Sequence, residues 1–298
     1  MLPVRVKPKE NESMTSLIVR LSKVNGVDIN TMYRWINNEY LKSNSNEGLR
    51  CLNLYEINTL SLAELINTPK ESLHKCGFYN VFKIFASHIP FGEARFIEGM
   101  IRNEYCYCPE CIKNKDYHKL FWTLSDINYC TEHEVSLLSK CPYCNTTLLY
   151  RDIESFDICP YCNKNLYINI NKEIIDDDKK NYDKWTIGSW EILLNTNNKT
   201  IECDEAAIRV IYILNGLNNV FSNENVKNKI NNQNMYEAIL RYARGTNSSK
   251  KMLHLSFIFK VLYQNRVSMD EFLNMEVPEI FIDSLMSKKK LKQSVPIV

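Results

Sequence analysis

No stretch of this 298-residue chain is apolar for long enough to suggest a membrane span. The opening MLPVRVKPKE lacks the apolar core of a secretory signal, and the most apolar run, LHLSFIFKVLY at 253–263, is interrupted by His254 and Lys260. These absences predict a cytoplasmic protein with no membrane partner. An excess of one charge is missing too. With 37 basic against 35 acidic residues, the chain is no uniformly basic nucleic-acid binder, so any such role must come from a local patch. Nor is there a glycine-rich phosphate loop, a Gly-x-Ser-x-Gly elbow or a His-Glu-x-x-His pair. Asp176-Asp177-Asp178 sits in a charged stretch and reads as a solvated run, and His74, His88, His118 and His254 have no partner at a recognisable spacing. The expectation is a protein that is not an enzyme.

What the sequence does have is paired cysteine. Most of its eleven cysteines fall in Cys-x-x-Cys or Cys-x-x-His pairs, which in a chain read as cytosolic points to metal rather than disulfides. The order is Cys108-x2-Cys111, Cys130-x2-His133, Cys141-x2-Cys144 and Cys159-x2-Cys162, with 18, 7 and 14 residues between pairs. Eight ligands make two tetrahedral sites. Thiolates with one imidazole suit Zn²⁺, and four protein ligands leave no open position, so two structural zinc ions are expected. CPYCN occurs twice, at 141–145 and 159–163. Its Pro restricts the turn, and Asn tolerates the left-handed conformation after the second ligand. Cys106 is a decoy two residues before Cys108, and Cys51, Cys76 and Cys203 read as small buried residues.

Two connectivities fit. Sequential pairing joins Cys108, Cys111, Cys130 and His133 in one site and Cys141, Cys144, Cys159 and Cys162 in the other. Interleaved pairing gives a RING-like cross-brace, and with it a protein-interaction module. A cross-brace normally has two or three residues between its fourth and fifth ligands, whereas EVSLLSK supplies seven, which favours sequential ribbons.

The expected fold is mainly α with small zinc-ribbon β-hairpins. It divides into a helical N-terminal segment (1–105), tandem zinc ribbons (106–170), a charged linker (171–185) and a helical C-terminal domain (186–298). Ser13 or Ser16 caps a first helix carrying Leu17, Ile18, Leu21 and Val24 and stopping at Asn25-Gly26. Ser61-Leu-Ala-Glu64 and Ser268-Met-Asp-Glu271 are both capping-box patterns. Each is open to two readings: an ordinary helix, or the first helix of a helix-turn-helix whose second helix follows Pro69 or starts at Pro278. Ala206, Ala207, Val210, Ile211 and Leu214 mark one helical face in the C-terminal domain.

Taken together, the N-terminus and metal region resemble the TniQ/TnsD family of bacterial transposition target-selection proteins. The resemblance rests on Leu2-Pro3-Val4-Arg5, Glu12-Ser13-x-x-Ser16-Leu17-x-x-Arg20-Leu21, Asn25-Gly26, Tyr107-Cys108-Pro109-x-Cys111, Trp122, Tyr129-Cys130-x-x-His133, Leu137-Leu138 and Cys141-Pro142-x-Cys144. The chain departs from the family at Glu134, Asn145 and Asn163, where glycine is common. The resemblance implies a non-catalytic adaptor that recognises target DNA or, often as a homodimer, a CRISPR effector complex, and recruits an AAA+ regulator and a transposase. Members that bind DNA directly use helix-turn-helix domains beyond the zinc region.

Local charge bears on direct DNA contact. Residues 95–164 hold eight basic and ten acidic side chains, and seven ligand thiolates on two Zn²⁺ make the region more negative still, which suits protein docking better than phosphate. Residues 226–268 carry Lys227, Lys229, Arg241, Arg244, Lys250, Lys251, Lys260 and Arg266 against Glu237 alone. These eight are the candidate nucleic-acid contacts, with a solvated helix face as the alternative. Lys288–Lys292 adds a basic tail.

Overall fold

A computed structural model describes residues 2–37, 58–86, 99–114, 117–168, 176–196, 199–230, 232–245 and 253–287. It is mainly helical with one small two-stranded hairpin. The chain forms two compact units, Met1–Val81 with Gly99–Asn195, and Phe82–Glu98 with Thr196–Val298.

In the first unit, α1 (Met14–Asn25) is capped as its sequence dictates. Ser13 accepts the Ser16 N–H at 3.1 Å, and Gly26 takes the left-handed conformation at φ 64°, which a residue without Cβ adopts freely. Leu17, Ile18 and Leu21 are buried, while Val24 faces solvent. α2 (Ile29–Asn37) packs on α1, and α3 (Thr59–Ile66) on α2. α3 starts three residues earlier than the Ser61 capping box implies. Asn58 is the cap, accepting the Ser61 N–H at 3.0 Å. Asn67, left-handed at φ 52°, ends α3, and Pro69 leads into α4 (Lys70–His74).

Leu17, Ile18, Met32, Ile36, Leu62 and Leu73 belong to the same buried cluster as Tyr105, Tyr107, Cys108, Cys111, Cys130, Cys141 and Cys159. The helical segment and the cysteine region therefore share one core. α5 (Tyr79–Ala86) carries the chain from the first unit into the second, and α6 (Pro109–Asn114) begins inside the first ligand pair. The hairpin pairs β1 (Tyr129–Cys130) with β2 (Val135–Ser136), antiparallel.

Part of the stretch expected as a linker is helical: α7 runs from Asp177 to Asn195. Asp183, Thr186, Trp190 and Leu193, three or four residues apart, form its buried stripe, and the Trp190 ring lies 4.8 Å from Phe78. The charges read as linker composition, on Asp177, Asp178, Lys179 and Lys184, occupy its solvent face.

The second unit centres on α8 (Cys203–Leu214), which packs against α9 (Asn223–Lys229), α10 (Gln233–Ala243) and α11 (Leu255–Gln264). Its buried face is Ala206, Ala207, Val210, Ile211 and Leu214, the five positions the periodicity marks. α12 (Met269–Asn274) opens on a complete Ser268–Glu271 capping box, and α13 (Glu279–Ser287) follows Pro278. Buried Arg209 binds α8 to the end of α12, donating to the Phe272 and Leu273 carbonyls at 2.7 and 2.9 Å.

Candidate metal centres

Local backbone geometry brings each ligand pair together. Cys130 ends β1, and His133 lies in the turn that leads to β2. Cys108 and Cys111 sit at the start of α6, where the Cys111 N–H points at the Cys108 sulfur, 3.4 Å away. In the second cluster, Lys140 pairs with Thr147 and Ile158 with Asn165, each bridge closing a knuckle around Cys141–Cys144 or Cys159–Cys162. The seven residues between the second and third pairs span both clusters. Val135 pairs in the hairpin, Leu138 exchanges two backbone bonds with Tyr107, and the Leu148 N–H donates to Ser139.

The ligand atoms gather as Cys108, Cys111, Cys130 and His133, and as Cys141, Cys144, Cys159 and Cys162, all within 4.8 Å of one another in each group. This is the sequential arrangement. A RING cross-brace would have brought Cys130 and His133 to Cys159 and Cys162, so the geometry overturns that alternative. In the first group, Cys111 Sγ lies 3.7 Å from Cys130 Sγ, and His133 Nδ1 lies 3.1, 3.7 and 3.8 Å from Cys111, Cys108 and Cys130. In the second, Cys141–Cys162 and Cys144–Cys159 are 3.6 and 3.8 Å apart. A tetrahedron built on metal–sulfur bonds of about 2.3 Å has edges of about 3.8 Å, so both donor sets fit a tetrahedral ion. Cys106 stays outside: its sulfur accepts from Arg102 at 2.7 Å, and burial raises its thiol pKa despite that cation.

Three left-handed residues close the knuckles. Glu134 (φ 55°), Asn145 (φ 56°) and Asn163 (φ 55°) follow the second ligand of their pairs, and each N–H returns to the carbonyl of the first, Cys130, Cys141 or Cys159, at 2.9–3.0 Å. Asn fits this conformation through its short polar side chain, but glutamate carries the Cβ penalty without that relief. Replacing exposed Glu134 with Gly should therefore stabilise the first unit by about 0.5–1 kcal/mol, the steric relief exceeding the added freedom of the unfolded chain. Urea midpoints of the two proteins check this.

The Glu12–Arg20 motif and His118 support the first cluster. Glu12 is buried, accepting from Arg20 Nη1 at 2.9 and 2.7 Å, from the Ser16 hydroxyl at 2.7 Å and from the Lys9 N–H at 2.9 Å. The Ser16 hydroxyl also accepts the His118 N–H at 2.9 Å, and the Ser13 N–H donates to the His118 carbonyl. His118 Nε2 lies 2.8 Å from the Cys106 carbonyl and 3.1 Å from the Tyr150 hydroxyl. Sequence spacing carries no hint of this histidine, because its partners lie 12 to 105 residues away. Burial holds its pKa down at about 3. The fold keeps it neutral while the unfolded chain binds a proton below about pH 6.5, so its contribution is complete above that pH. It is lost as pH falls towards 3, by about 1.4 kcal/mol per unit. The His118 Cε1 proton should show no titration between pH 8 and 5 by NMR.

Asp183 on α7 is a second buried polar group that spacing does not reveal. It accepts the Asn128 N–H at 3.2 Å beside the hairpin, and burial raises its pKa.

Among the candidate nucleic-acid contacts, Lys227, Lys229, Arg241, Lys260 and Arg266 are exposed, whereas Lys250, Lys251 and the Lys288–Lys292 tail lie outside the described residues. Lys229 reaches Asn265 at 3.0 Å, which places the end of α9 beside Arg266. Arg244 has a structural contact, donating twice to the Leu285 carbonyl at the end of α13. The α12–α13 pair, a candidate helix-turn-helix, lies in a segment (267–287) with Asp270, Glu271, Glu276, Glu279 and Asp283 and no lysine or arginine. That charge disfavours phosphate. Among the described residues no helix is long and apolar enough to cross a membrane.

Comparison with known proteins gives one family. The TniQ sequence model matches residues 3–137, a span that contains the Glu12–Arg20 motif and all four ligands of the first cluster and ends before the second. No curated protein matches the chain.

Proposed function

We propose, because residues 3–137 match the TniQ family model, that this protein is a non-catalytic adaptor that selects the target site for a DNA transposon. Both clusters hold structural Zn²⁺. In this reading the first unit is the rigid body that engages the AAA+ regulator and, through it, the transposase. The observation that carries the proposal is the family match, whose span contains one whole four-ligand cluster. Zinc suits both donor sets, since a redox-inert, borderline-soft ion with four protein ligands fixes shape and leaves no position for substrate.

Target DNA is contacted through the second unit by Lys227, Lys229, Lys260 and Arg266, all exposed, with Arg241 beside them in sequence. The α12–α13 segment, acidic and without lysine or arginine, makes no phosphate contact in this proposal. Changing the four residues to Gln should weaken duplex binding and reduce the slope of log affinity against log salt by up to about 3.6, or roughly 0.9 for each phosphate no longer neutralised. Fluorescence anisotropy at several salt concentrations measures both. An unchanged affinity and slope would overturn direct DNA contact and favour recruitment by an RNA-guided complex.

A further inference from the structure

The two sulfur clusters meet solvent differently. In the first, Cys108, Cys111 and Cys130 are buried and His133 is half-buried. Lys119 and Glu132 pair at 2.5 Å beside them, with Glu132 Oε2 3.8 Å from Cys111 Sγ. In the second, Cys141 and Cys159 are buried and Cys162 is half-buried, but Cys144 is exposed among exposed Pro142, Tyr143, Asn145 and Thr146. A divalent ion with four thiolates also leaves a larger negative charge on sulfur than one with three thiolates and an imidazole. Accessible, electron-rich thiolates are the ones that hydroperoxides and soft electrophiles reach first.

We propose that Cys144 is a modification site for hydroperoxides and soft electrophiles, and that oxidation there discharges the second ion while the first is retained. The inference rests on both clusters holding zinc. The Cys144 thiolate attacks the peroxide O–O bond; an S–O bond forms, the O–O bond breaks, and hydroxide departs to be neutralised by the buffer. The Cys159 thiolate, 3.8 Å away, then attacks the sulfenic sulfur; the S–S bond forms, the S–O bond breaks, and a second hydroxide departs to the buffer. Two thiolates give up two electrons to one peroxide. Cys141 and Cys162 alone cannot hold the ion in its tetrahedral site, so one Zn²⁺ leaves per chain.

The test uses the full chain as purified, with metal content measured before any oxidant is added. Hydrogen peroxide is then added with a chromogenic zinc chelator present, and the cysteines are mapped by mass spectrometry after N-ethylmaleimide labelling. One equivalent of zinc should leave at least about tenfold faster than the other. The first lesion should be at Cys144, with Cys108, Cys111 and Cys130 still intact. Fewer than two zinc ions at the start would overturn the underlying metal reading. Two ions released at one rate, or first-cluster cysteines modified before Cys144, would overturn the inference alone.

Discussion

Cys130→Ser in the full chain is expected to abolish the cooperative unfolding of the whole N-terminal unit, not to loosen one ribbon. Cys130 shares its buried cluster with Leu17, Ile18, Met32 and Leu62, so the ligand and the helical core are one packing unit. Structural zinc supplies about 10–16 kcal/mol in small metal-stapled domains, as much as or more than the roughly 5–15 kcal/mol by which ordinary domains are stable. With zinc held as proposed, losing a ligand removes most of the first sum from a structure with little to spare. Circular dichroism against urea should show a broad transition with reduced helicity, and metal analysis should show the first ion lost. Cys106→Ser is the control. It alters a buried sulfur two residues from Cys108 that stands outside both groups, and should cost only about 1 kcal/mol with both ions kept. A Cys130→Ser protein that unfolds at the wild-type midpoint would remove the metal from the account of the fold.

Features written in short spacings were legible in the sequence. Ser13 and Gly26 bound α1 because a cap and a left-handed stop each act within four residues, and the two four-ligand groups follow from pairs that local knuckles bring together. What escaped depends on distant chain. His118 has no neighbour at a telling interval, and its burial comes from Ser13, Cys106 and Tyr150 converging on it. Residues 177–185 read as linker because only one stripe of α7 is buried and part of that stripe is polar, at Asp183 and Thr186. Arg244 counts as a basic residue in any charge tally, yet its guanidinium is bound to the Leu285 carbonyl. Ser61 sits in a plausible capping box, but Asn58 lies three residues earlier and takes the cap. Glu134 stands at a knuckle position whose left-handed backbone suits glycine. Its positive φ shows that the backbone requirement is met at a steric cost.

Arg20→Ala is expected to destabilise the first unit by about 3–5 kcal/mol, far more than a surface ion pair of the same length would cost. The Glu12 side chain is wholly inaccessible and that of Arg20 nearly so, at 0 and 12% exposure. Water cannot replace the guanidinium once it is gone. Among the described residues Glu12 would keep the Ser16 hydroxyl and the Lys9 N–H, two neutral donors, for a full negative charge. The same carboxylate orders Ser16, whose hydroxyl accepts the His118 backbone, so the damage should reach the contact between α1 and the segment leading to the first cluster. A double-mutant cycle separates pairing from burial. In the Arg20→Ala background, Glu12→Gln should recover stability by removing the uncompensated charge, whereas in the wild-type background the same change should reduce it. Equal effects of Glu12→Gln in both backgrounds, read from urea midpoints, would mean that the two side chains are not energetically coupled and that the motif serves this fold through packing alone.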